Sequence, residues 1–327
     1  MIGFGGIAQV HKAAYAELEK EGKARLAAVC DTDPASFDKK IEINIGGGDK
    51  GENDFGAYTD LEEMLRCEHL DMIDICVPTY MHAETAAEML RRGYDVLSEK
   101  PMALRYSECA SMLEVAKSSG RRLMIGQCLH FFPEYEYLKG VVVSGEFGRP
   151  LSGFFQRLST PPVWGWQNWY LDGARSGGCL QDMHIHDIDM TRWLFGDPDH
   201  VSCRSKSTVG DWDMAHSVLC FGEMTVTVIG DWSLPNVPFD ASYRVAFERA
   251  TVFCSGGRVT VVPAEGESWS PELPDVNGYA REIAYFIGLL LSGEENTVNL
   301  PEDAAASLRI IERLRESAVN GGERLAL

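Results

Sequence analysis

Two short stretches of the chain contain residues that could move a proton to and from a hydroxyl group. Ser98-Glu99-Lys100-Pro101 ends a predicted strand, and Asp182 and His186 lie four residues apart on a predicted helix. A lysine at a strand end can bind a substrate hydroxyl and stabilise the alkoxide that forms from it. A carboxylate that orients an imidazole suits general acid–base catalysis near neutral pH. Lys100, Asp182 and His186 are therefore the candidate catalytic residues.

Each of these residues also has a structural interpretation. Taken alone, Lys100 is more often a surface lysine, and His186 can be a hydrogen-bonded core histidine. Metal binding is a further alternative, because Asp182, His184 and His186 are all ligand types. Two histidines at positions i and i+2 do not share one face of a helix, so one helix does not present both to one ion. We therefore expect no metal at this site.

A nucleotide-binding signature opens the chain. The segment Gly3-Phe4-Gly5-Gly6-Ile7-Ala8 matches G-x-G-x-x-A at the start of a predicted helix. The first glycine permits a tight turn, the second lets the backbone approach a pyrophosphate, and the small third residue allows close packing of helix on strand. The expected cofactor-binding residues of this segment are Gly3, Gly5, Gly6, Ile7 and Ala8.

Asp31 follows the next strand at the distance of a βαβ unit. Its carboxylate is expected to accept hydrogen bonds from both adenosine ribose hydroxyls. A 2′-phosphate would meet a like charge there, with Asp33 also near. We therefore expect NAD as the cofactor and disfavour NADP. The alternative for Asp31 is a helix or turn cap before Pro34.

Two features near the start of the chain fit this interpretation less well. A strand of about five residues is typical before Gly3, whereas only Met1 and Ile2 precede it. The expected strand therefore begins upstream of Met1 or is shortened in this chain. The glycines at 46–48 suggest a second phosphate loop, but no helix start follows them, so a flexible turn is favoured.

Short apolar strands alternate with amphipathic helices over residues 1–127. This order predicts a doubly wound parallel sheet, which is a Rossmann α/β domain. The predicted strands are 26–30, 72–77, 94–98 and 122–126, and the predicted helices are 8–20, 61–66, 83–92 and 107–119.

The pattern changes in the second predicted domain, residues 128–327. One long helix is predicted over 178–195, with Asp182, His186 and Asp189 on one polar stripe. Strands joined by short turns then predict an α+β domain with an open, mostly antiparallel sheet. The predicted strands are 216–221, 224–229, 243–247 and 258–262, and two closing helices are predicted over 278–291 and 301–318.

Composition excludes some partners. The chain has 327 residues and a formal net charge of −19, which argues against nucleic acid or an anionic membrane as a partner. No apolar run is long enough to cross a bilayer. Nine cysteines occur singly, without a CxxC pair, as expected of reduced thiols in a cytoplasmic protein.

Taken in order along the chain, these motifs resemble the glucose–fructose oxidoreductase/inositol dehydrogenase/MocA (Gfo/Idh/MocA) family. The resemblance rests on the glycine-rich start, Pro78 and His82 after a strand, Glu99-Lys100-Pro101, the run from Gly177 to Asp189, and the helix end Trp193-Leu194-Phe195-Gly196. It implies Lys100, Asp182 and His186 as the catalytic set. It also implies Pro78, His82, Glu99 and Lys100 at the cofactor, and oligomer contacts through the second domain's sheet.

The resemblance leaves the substrate open. Trp169 and Tyr170 end a tract of aromatic and amide side chains that suits a sugar ring or, equally, a protein core. His184 is a third candidate for substrate contact, since many relatives have a small residue there, and His130 stands where an arginine is common. His11 could approach the cofactor, although packing is favoured.

These observations predict an NAD-dependent dehydrogenase that acts on a sugar, an inositol or a related polyol. One alternative is an NAD-dependent glycosidase, which oxidises its sugar transiently and returns the hydride. Another is a sugar- or nucleotide-sensing protein that has lost turnover, although an intact set of lysine, aspartate and histidine argues against it.

Overall fold

A computed structural model describes residues 1–38 and 55–327. They form two compact units. The first comprises Met1–Cys128, Trp164–Trp169 and Asn277–Ala305, and the second comprises Leu129–Val163, Tyr170–Val276 and Ala306–Leu327. The glycines at 46–48 lie outside the described residues.

The helices and strands are numbered in chain order. The helices are α1 (Gly6–Lys20), α2 (Leu61–Cys67), α3 (His82–Arg91), α4 (Tyr106–Ser119), α5 (Pro133–Ser144), α6 (Gly173–Ser176), α7 (Cys179–Asp182), α8 (Ile185–Phe195), α9 (Gly278–Ser292) and α10 (Pro301–Val319). The strands are β1 (Ala28–Cys30), β2 (Gly56–Tyr58), β3 (Met72–Ile75), β4 (Asp95–Glu99), β5 (Leu123–Gly126), β6 (Pro150–Leu158), β7 (His200–Lys206), β8 (Met214–Phe221), β9 (Met224–Asp231), β10 (Asp240–Phe247), β11 (Ala250–Ser255), β12 (Arg258–Pro263) and β13 (Leu325–Ala326).

The first unit contains the predicted parallel sheet. Strands β1 and β2 pair in parallel, and so do β3, β4 and β5. Ile2 connects these two groups, because it forms parallel bridges to both Cys30 and Ile75. The short segment before Gly3 therefore occupies the position of a central strand, and the parallel α/β prediction is confirmed.

Helix α9 belongs to the core of the first unit, although its sequence follows that of the second. Ile283, Phe286 and Ile287 lie buried in one cluster with Phe4 and Leu18. The helix has an apolar face because its buried side chains recur every three or four residues. The first compact unit thus contains a segment that the sequence prediction assigned to the second domain.

The second unit is built on an eight-stranded sheet in the order β12-β11-β10-β6-β9-β8-β7-β13. Its pairs are antiparallel except for β6 and β9, which are parallel. The prediction of an open, mostly antiparallel sheet is confirmed. Helices α7 and α8 contact strands β6, β8 and β9, so one face of the sheet supports the residues from Cys179 to Phe195.

The prediction of one long helix over 178–195 is wrong. The structure breaks it into α7 and α8 at Met183 and His184. The backbone N–H of His184 donates to the carbonyl of Cys179, five residues back, at 2.9 Å. Such a wide, π-type turn often occurs at functional sites. Because one residue is added to the turn, Asp182 and His186 do not follow the spacing of a single regular helix.

Candidate active site

The glycine-rich turn of the first unit leaves space for a ligand. Gly3 has a φ of +87°, and a Cβ there would come within 2.7 Å of the carbonyl oxygen of Cys76. A Cβ at Gly5, in contrast, would meet no atom within 4 Å, so protein contacts do not require this glycine. Gly5 is also the N-cap residue of α1, and no side chain caps this end of the helix. An uncapped helix N-terminus beside open space fits a dinucleotide pyrophosphate.

Asp31 holds the glycine-rich turn to the end of β1. One carboxylate oxygen accepts from the backbone N–H of Phe4 at 2.7 Å, and the other accepts from the N–H of Asp33 at 2.8 Å. Each carboxylate oxygen can accept more than one hydrogen bond, so both can still receive ribose hydroxyls. The two backbone contacts fix the direction of the carboxylate. A carboxylate after the second strand is the group that accepts hydrogen bonds from the hydroxyls of an unphosphorylated adenosine ribose in this type of fold.

A buried charge network lies behind this turn. His11 of α1 places Nδ1 2.8 Å from Asp74 of β3 and Nε2 3.1 Å from Glu99 of β4. Burial opposes the charge, but Asp74 and Cys76 outweigh it and raise the pKa of His11 well above its usual value. His11 itself is fully buried. It therefore ties three elements together, and packing accounts for its position.

His11, Asp74 and Cys76 also form the one group of possible metal ligands found in residues 1–38 and 55–327. The His11 ring and the Asp74 carboxylate already form a direct ion pair. Burial raises the pKa of Cys76 to about 12, with the negative charge of Asp74 adding to the shift. A thiol with so high a pKa is a poor ligand, because metals bind the thiolate.

The turn after β4 carries Lys100. Its backbone N–H donates to the carboxylate of Glu99 at 3.0 Å, and Glu99 is itself buried. The imidazole of His82, at the start of α3, reaches the carbonyl of Pro101 from Nδ1 at 2.7 Å and the carbonyl of Val77 from Nε2 at 2.8 Å. Lys100 thus stands on a turn that two buried side chains hold.

In the second unit, two glycines set the start of α7. Gly177 and Gly178 have φ values of +79° and +70°. A Cβ at Gly178 would lie 2.1 Å from the carbonyl oxygen of Asp211. Arg315 of α10 donates to the carbonyl of Gly177 and, at 2.7 Å, to Oε1 of Gln181. The turn that precedes Asp182 is therefore closely packed, and a side chain at Gly178 would displace it.

Two buried contacts orient α8 on the sheet. The guanidinium of Arg157, on β6, donates to both carboxylate oxygens of Asp187, at 3.0 and 3.2 Å. His184 donates to or accepts from the hydroxyl of Ser217 at 2.8 Å and packs against Gly230. His184 is fully buried, and its polar contact lies within the sheet. Packing of the α7–α8 turn on the sheet accounts for its side chain.

Asp189 is buried on α8 and has two polar partners of its own. Its carboxylate lies 2.8 Å from Nε2 of His130 and accepts from the hydroxyl of Ser307 at 2.8 Å. His130 stacks on Trp193 with ring centroids 4.5 Å apart. Asp189 is thus a third anchor of α8, and His130 is its partner. Reasoning from the sequence did not identify this pair because the two residues are far apart along the chain.

His186 differs from its neighbours on α8. Asp187 and Asp189 are buried and bound to other elements, whereas His186 is partly exposed. Asp182, four residues earlier, is 9% exposed. The anchors on either side of His186 restrict the rotation of the helix. The structure therefore presents an imidazole on a fixed helix next to the α7–α8 turn, with a carboxylate at the end of α7.

The aromatic tract forms a distorted turn. Gln167 and Asn168 both have left-handed backbones, with φ values of +50° and +52°. Such conformations cost free energy for residues other than glycine and concentrate at functional sites. Trp169 is buried in the first unit, and Tyr170 packs edge-on against Trp232 in the second.

Comparison with known proteins identifies the family. An oxidoreductase family described as having an NAD-binding Rossmann fold, GFO_IDH_MocA, matches residues 1–127. The GFO/IDH/MocA C-terminal domain matches residues 135–260. The chain belongs to the GFO/IDH/MocA family. It is therefore an NAD-binding oxidoreductase, and the predicted family, enzyme class and cofactor are confirmed.

Among the relatives, inositol 2-dehydrogenase of Rhizobium meliloti is 27% identical over 318 residues, which is 90% of this chain and 89% of the relative. A 2,7-anhydro-N-acetylneuraminate hydratase of Mediterraneibacter gnavus is 29% identical over 212 residues, which is 63% of this chain and 50% of the relative. The structure of the WlbA dehydrogenase of Bordetella pertussis, in complex with NADH and UDP-GlcNAcA, aligns with a TM-score of 0.82 at 22% identity, covering 100% of this chain and 97% of that one. This last similarity supports the fold.

None of the helices among the described residues is long and apolar enough to cross a membrane.

Proposed function

We propose that this oxidoreductase is an NAD-dependent dehydrogenase of a sugar, an inositol or a related polyol, with Lys100, Asp182 and His186 as its catalytic residues. The observation that carries the proposal is that α8, which the buried pairs of Asp187 and Asp189 fix on the sheet, keeps the imidazole of His186 partly exposed. A partly exposed imidazole on a fixed helix can meet a ligand in a defined orientation.

Bound NAD would supply a hydride acceptor for the carbon that carries the reacting hydroxyl. His186 takes the proton of that hydroxyl as general base. Asp182 orients the imidazole and stabilises its positive charge once the proton has moved. Lys100 donates a hydrogen bond to the same oxygen and stabilises its developing negative charge. In the reverse direction, the same groups return the proton.

For the cofactor, we assign the pyrophosphate to Gly3, Gly5, Gly6, Ile7 and Ala8, and the adenosine ribose to Asp31. Pro78, Glu99 and Lys100 belong to the nicotinamide end, because they lie at or just beyond the carboxyl ends of β3 and β4, where open α/β sheets bind ligands. His82 belongs to the same end through its contacts with Val77 and Pro101.

The substrate class follows from the catalytic set and from the aromatic tract. Trp169 and Tyr170 belong to a tract of aromatic and amide side chains, a composition that suits a ring with several hydroxyl groups. The dehydrogenase relative that matches over most of its length is named for inositol. We favour a cyclic polyol over a linear one for these reasons.

A second candidate function is a reaction without net oxidation. One family relative is named a hydratase, and addition of water transfers no electrons overall. The same lysine, aspartate and histidine would then assist proton removal in a transient oxidation and return the proton when the hydride is given back. A glycosidase that oxidises its sugar transiently and then returns the hydride would likewise form no net NADH.

The assembly and the location of the enzyme are also part of the proposal. The face of the sheet that α7 and α8 leave uncovered exposes Val218, Phe253 and Val262, which favours a homo-oligomer formed through this sheet. All nine cysteines are free thiols, which favours the cytoplasm. The net charge of −19 argues against a nucleic-acid partner.

A panel of inositols, aldoses and linear polyols tests the function, with NAD as oxidant and absorbance at the NADH band as the readout. We expect net NADH formation with at least one cyclic polyol and its loss in His186→Ala. Cleavage or hydration of a sugar derivative without net NADH would favour the second candidate. Tight binding of a sugar with neither reaction would contradict both.

A further inference from the structure

His82 uses both of its ring nitrogens on backbone carbonyls. Nδ1 lies 2.7 Å from the oxygen of Pro101, and Nε2 lies 2.8 Å from the oxygen of Val77. The residue is 1% exposed. Val77 follows β3 and Pro101 follows Lys100, so one side chain spans the carboxyl ends of two adjacent parallel strands.

The chemistry of the ring limits what else His82 can do. A carbonyl oxygen only accepts, a neutral imidazole has one N–H donor, and an imidazolium has two. Burial lowers the pKa of His82, while the two carbonyls and Glu99 oppose that shift. The neutral ring donates to one carbonyl at a time, and the protonated ring donates to both. In neither state is a ring nitrogen left to bind a dinucleotide.

Lys100 lies within electrostatic range of this ring, because its charge contributes to the lowering of the His82 pKa. The backbone on either side of Lys100 is also fixed from two directions. Glu99 accepts the N–H of Lys100 itself, and His82 binds the carbonyl of the next residue, Pro101. The peptide group before Lys100 and the one after Pro101 are thus both held, which gives the Lys100 side chain a defined starting point.

We propose that His82 is a positioning residue for Lys100, which clamps the turn after β4 to the end of β3 and makes no direct contact with the cofactor. The catalytic role of Lys100 in this proposal rests on the proposed function, whereas the clamping of the turn by His82 does not depend on it. Misplacement of a catalytic group by about 1 Å can cost about a hundredfold in rate. Loss of the clamp should therefore lower kcat more than it lowers affinity for NAD.

The test compares His82→Ala and His82→Gln with His69→Ala, an exposed histidine in the loop before β3. The glutamine amide can donate to one carbonyl, so the kcat of His82→Gln should lie between those of wild type and His82→Ala. His82→Gln also keeps the test possible if the alanine variant does not fold. For His82→Ala we expect kcat to fall about tenfold to a hundredfold, with the Kd for NAD changed less than about twofold. Added imidazole should restore part of the lost rate. His69→Ala should behave as wild type.

Hydrogen exchange provides a readout that needs no substrate. In His82→Ala without ligand, the amide of Lys100 should exchange about tenfold faster or more, because local opening of its hydrogen bond becomes easier. Unchanged exchange, or an unchanged kcat, would overturn the proposal. So would a tenfold weaker Kd for NAD with a normal kcat at saturating NAD, since that pattern indicates direct cofactor contact. If Lys100→Ala turns over normally, the proposed function fails, whereas the exchange result still decides the role of His82.

Discussion

The turn that carries Lys100 and the helix that carries His186 are positioned in different ways. Around Lys100, side chains bind the backbone, since His82 of α3 holds the carbonyl of Pro101 and the adjacent Glu99 holds the amide of Lys100. Along α8, the helix uses its own side chains, Asp187 and Asp189, to bind its surroundings. An irregular turn has backbone N–H and C=O groups that side chains can bind, whereas a helix has already paired most of its backbone groups with one another.

Two buried histidines, one in each unit, also differ in their surroundings and in their pKa. His11, in the first unit, lies between the carboxylates of Asp74 and Glu99. Burial lowers its pKa, but Asp74 and Cys76 outweigh burial and raise the pKa well above its usual value. His184, in the second unit, has a hydroxyl partner, and burial lowers its pKa to about 3. Of these two rings, His11 is therefore held in its charged form and His184 in its neutral form. Acidification should raise the contribution of His11 to the free energy of unfolding and lower that of His184.

The largest expected effects are on catalysis. Lys100→Ala and His186→Ala should each lower kcat by about 10²- to 10⁴-fold, which is typical of removing a proton-transfer or charge-stabilising group. The Kd for NAD should change little, because neither side chain is assigned to the adenosine half. Steady-state kinetics on the substrate found in the polyol panel, with NADH fluorescence for binding, provide the check. Near-normal turnover in either variant would remove that residue from the catalytic set.

Removing an anchor of α8 should cost stability. Arg157→Met leaves the Asp187 carboxylate buried without its partner, and breaking such a pair typically costs about 3–5 kcal/mol. Urea unfolding, followed by circular dichroism, measures the loss. Arg244→Met, on the neighbouring strand β10 but exposed, is the matched control and should change stability little. The double variant Arg157→Met with Asp187→Leu should lose less than Arg157→Met alone. Wild-type stability in Arg157→Met would show that the pair does not fix the helix.

Stability should depend on pH through His184, because its buried ring is neutral in the folded chain. Between pH 6.5 and about 3, the unfolded chain binds a proton at His184 that the folded chain does not. This contribution to stability is therefore complete above pH 6.5 and is lost as the pH falls, by about 2 kcal/mol at pH 5. His184→Gln, which keeps a donor for Ser217, should show a shallower decrease in the free energy of unfolding from pH 7 to pH 5. An unchanged slope would mean that His184 is not buried in its neutral form.

Cofactor choice is the smallest of these effects. Because Asp31 would face a 2′-phosphate, NAD should bind at least tenfold more tightly than NADP, which corresponds to about 1.4 kcal/mol. Calorimetry on both cofactors measures the ratio. Asp31→Asn keeps an acceptor for Phe4 but removes the charge, so the ratio should shrink, whereas the exposed Asp38→Asn should leave it unchanged. Equal affinities in the wild type would exclude Asp31 from the ribose site.

Local signals predicted much of the first unit from the sequence. The glycine-rich start, the strand end at Cys30 and, within one residue, the strand end at Glu99 depend on neighbouring residues. Turn and cap chemistry acts over a few positions, so it is visible in the order of residues. The parallel sheet followed from the repeated alternation of strand and helix.

What the sequence did not predict depends on contacts between distant residues. The break before α8 follows from the packing of His184 against Ser217 of β8 and Gly230 of β9, and both strands come later in the chain. The partners of Asp189 come from residues 130 and 307. Strands β6 and β9 pair in parallel across a long stretch of sequence. Periodicity describes one segment at a time and carries no information about such partners.

We propose that Lys100 and His186 act together on one hydroxyl group. The single-turnover rate of NADH formation in Lys100→Ala, His186→Ala and the double variant tests this proposal. Because residues that act as a unit are not additive, the double variant should lose far less than the product of the two single losses, with a residual rate close to that of the slower single variant. Losses that multiply would show that the two side chains act independently, and joint action on one hydroxyl would then be wrong.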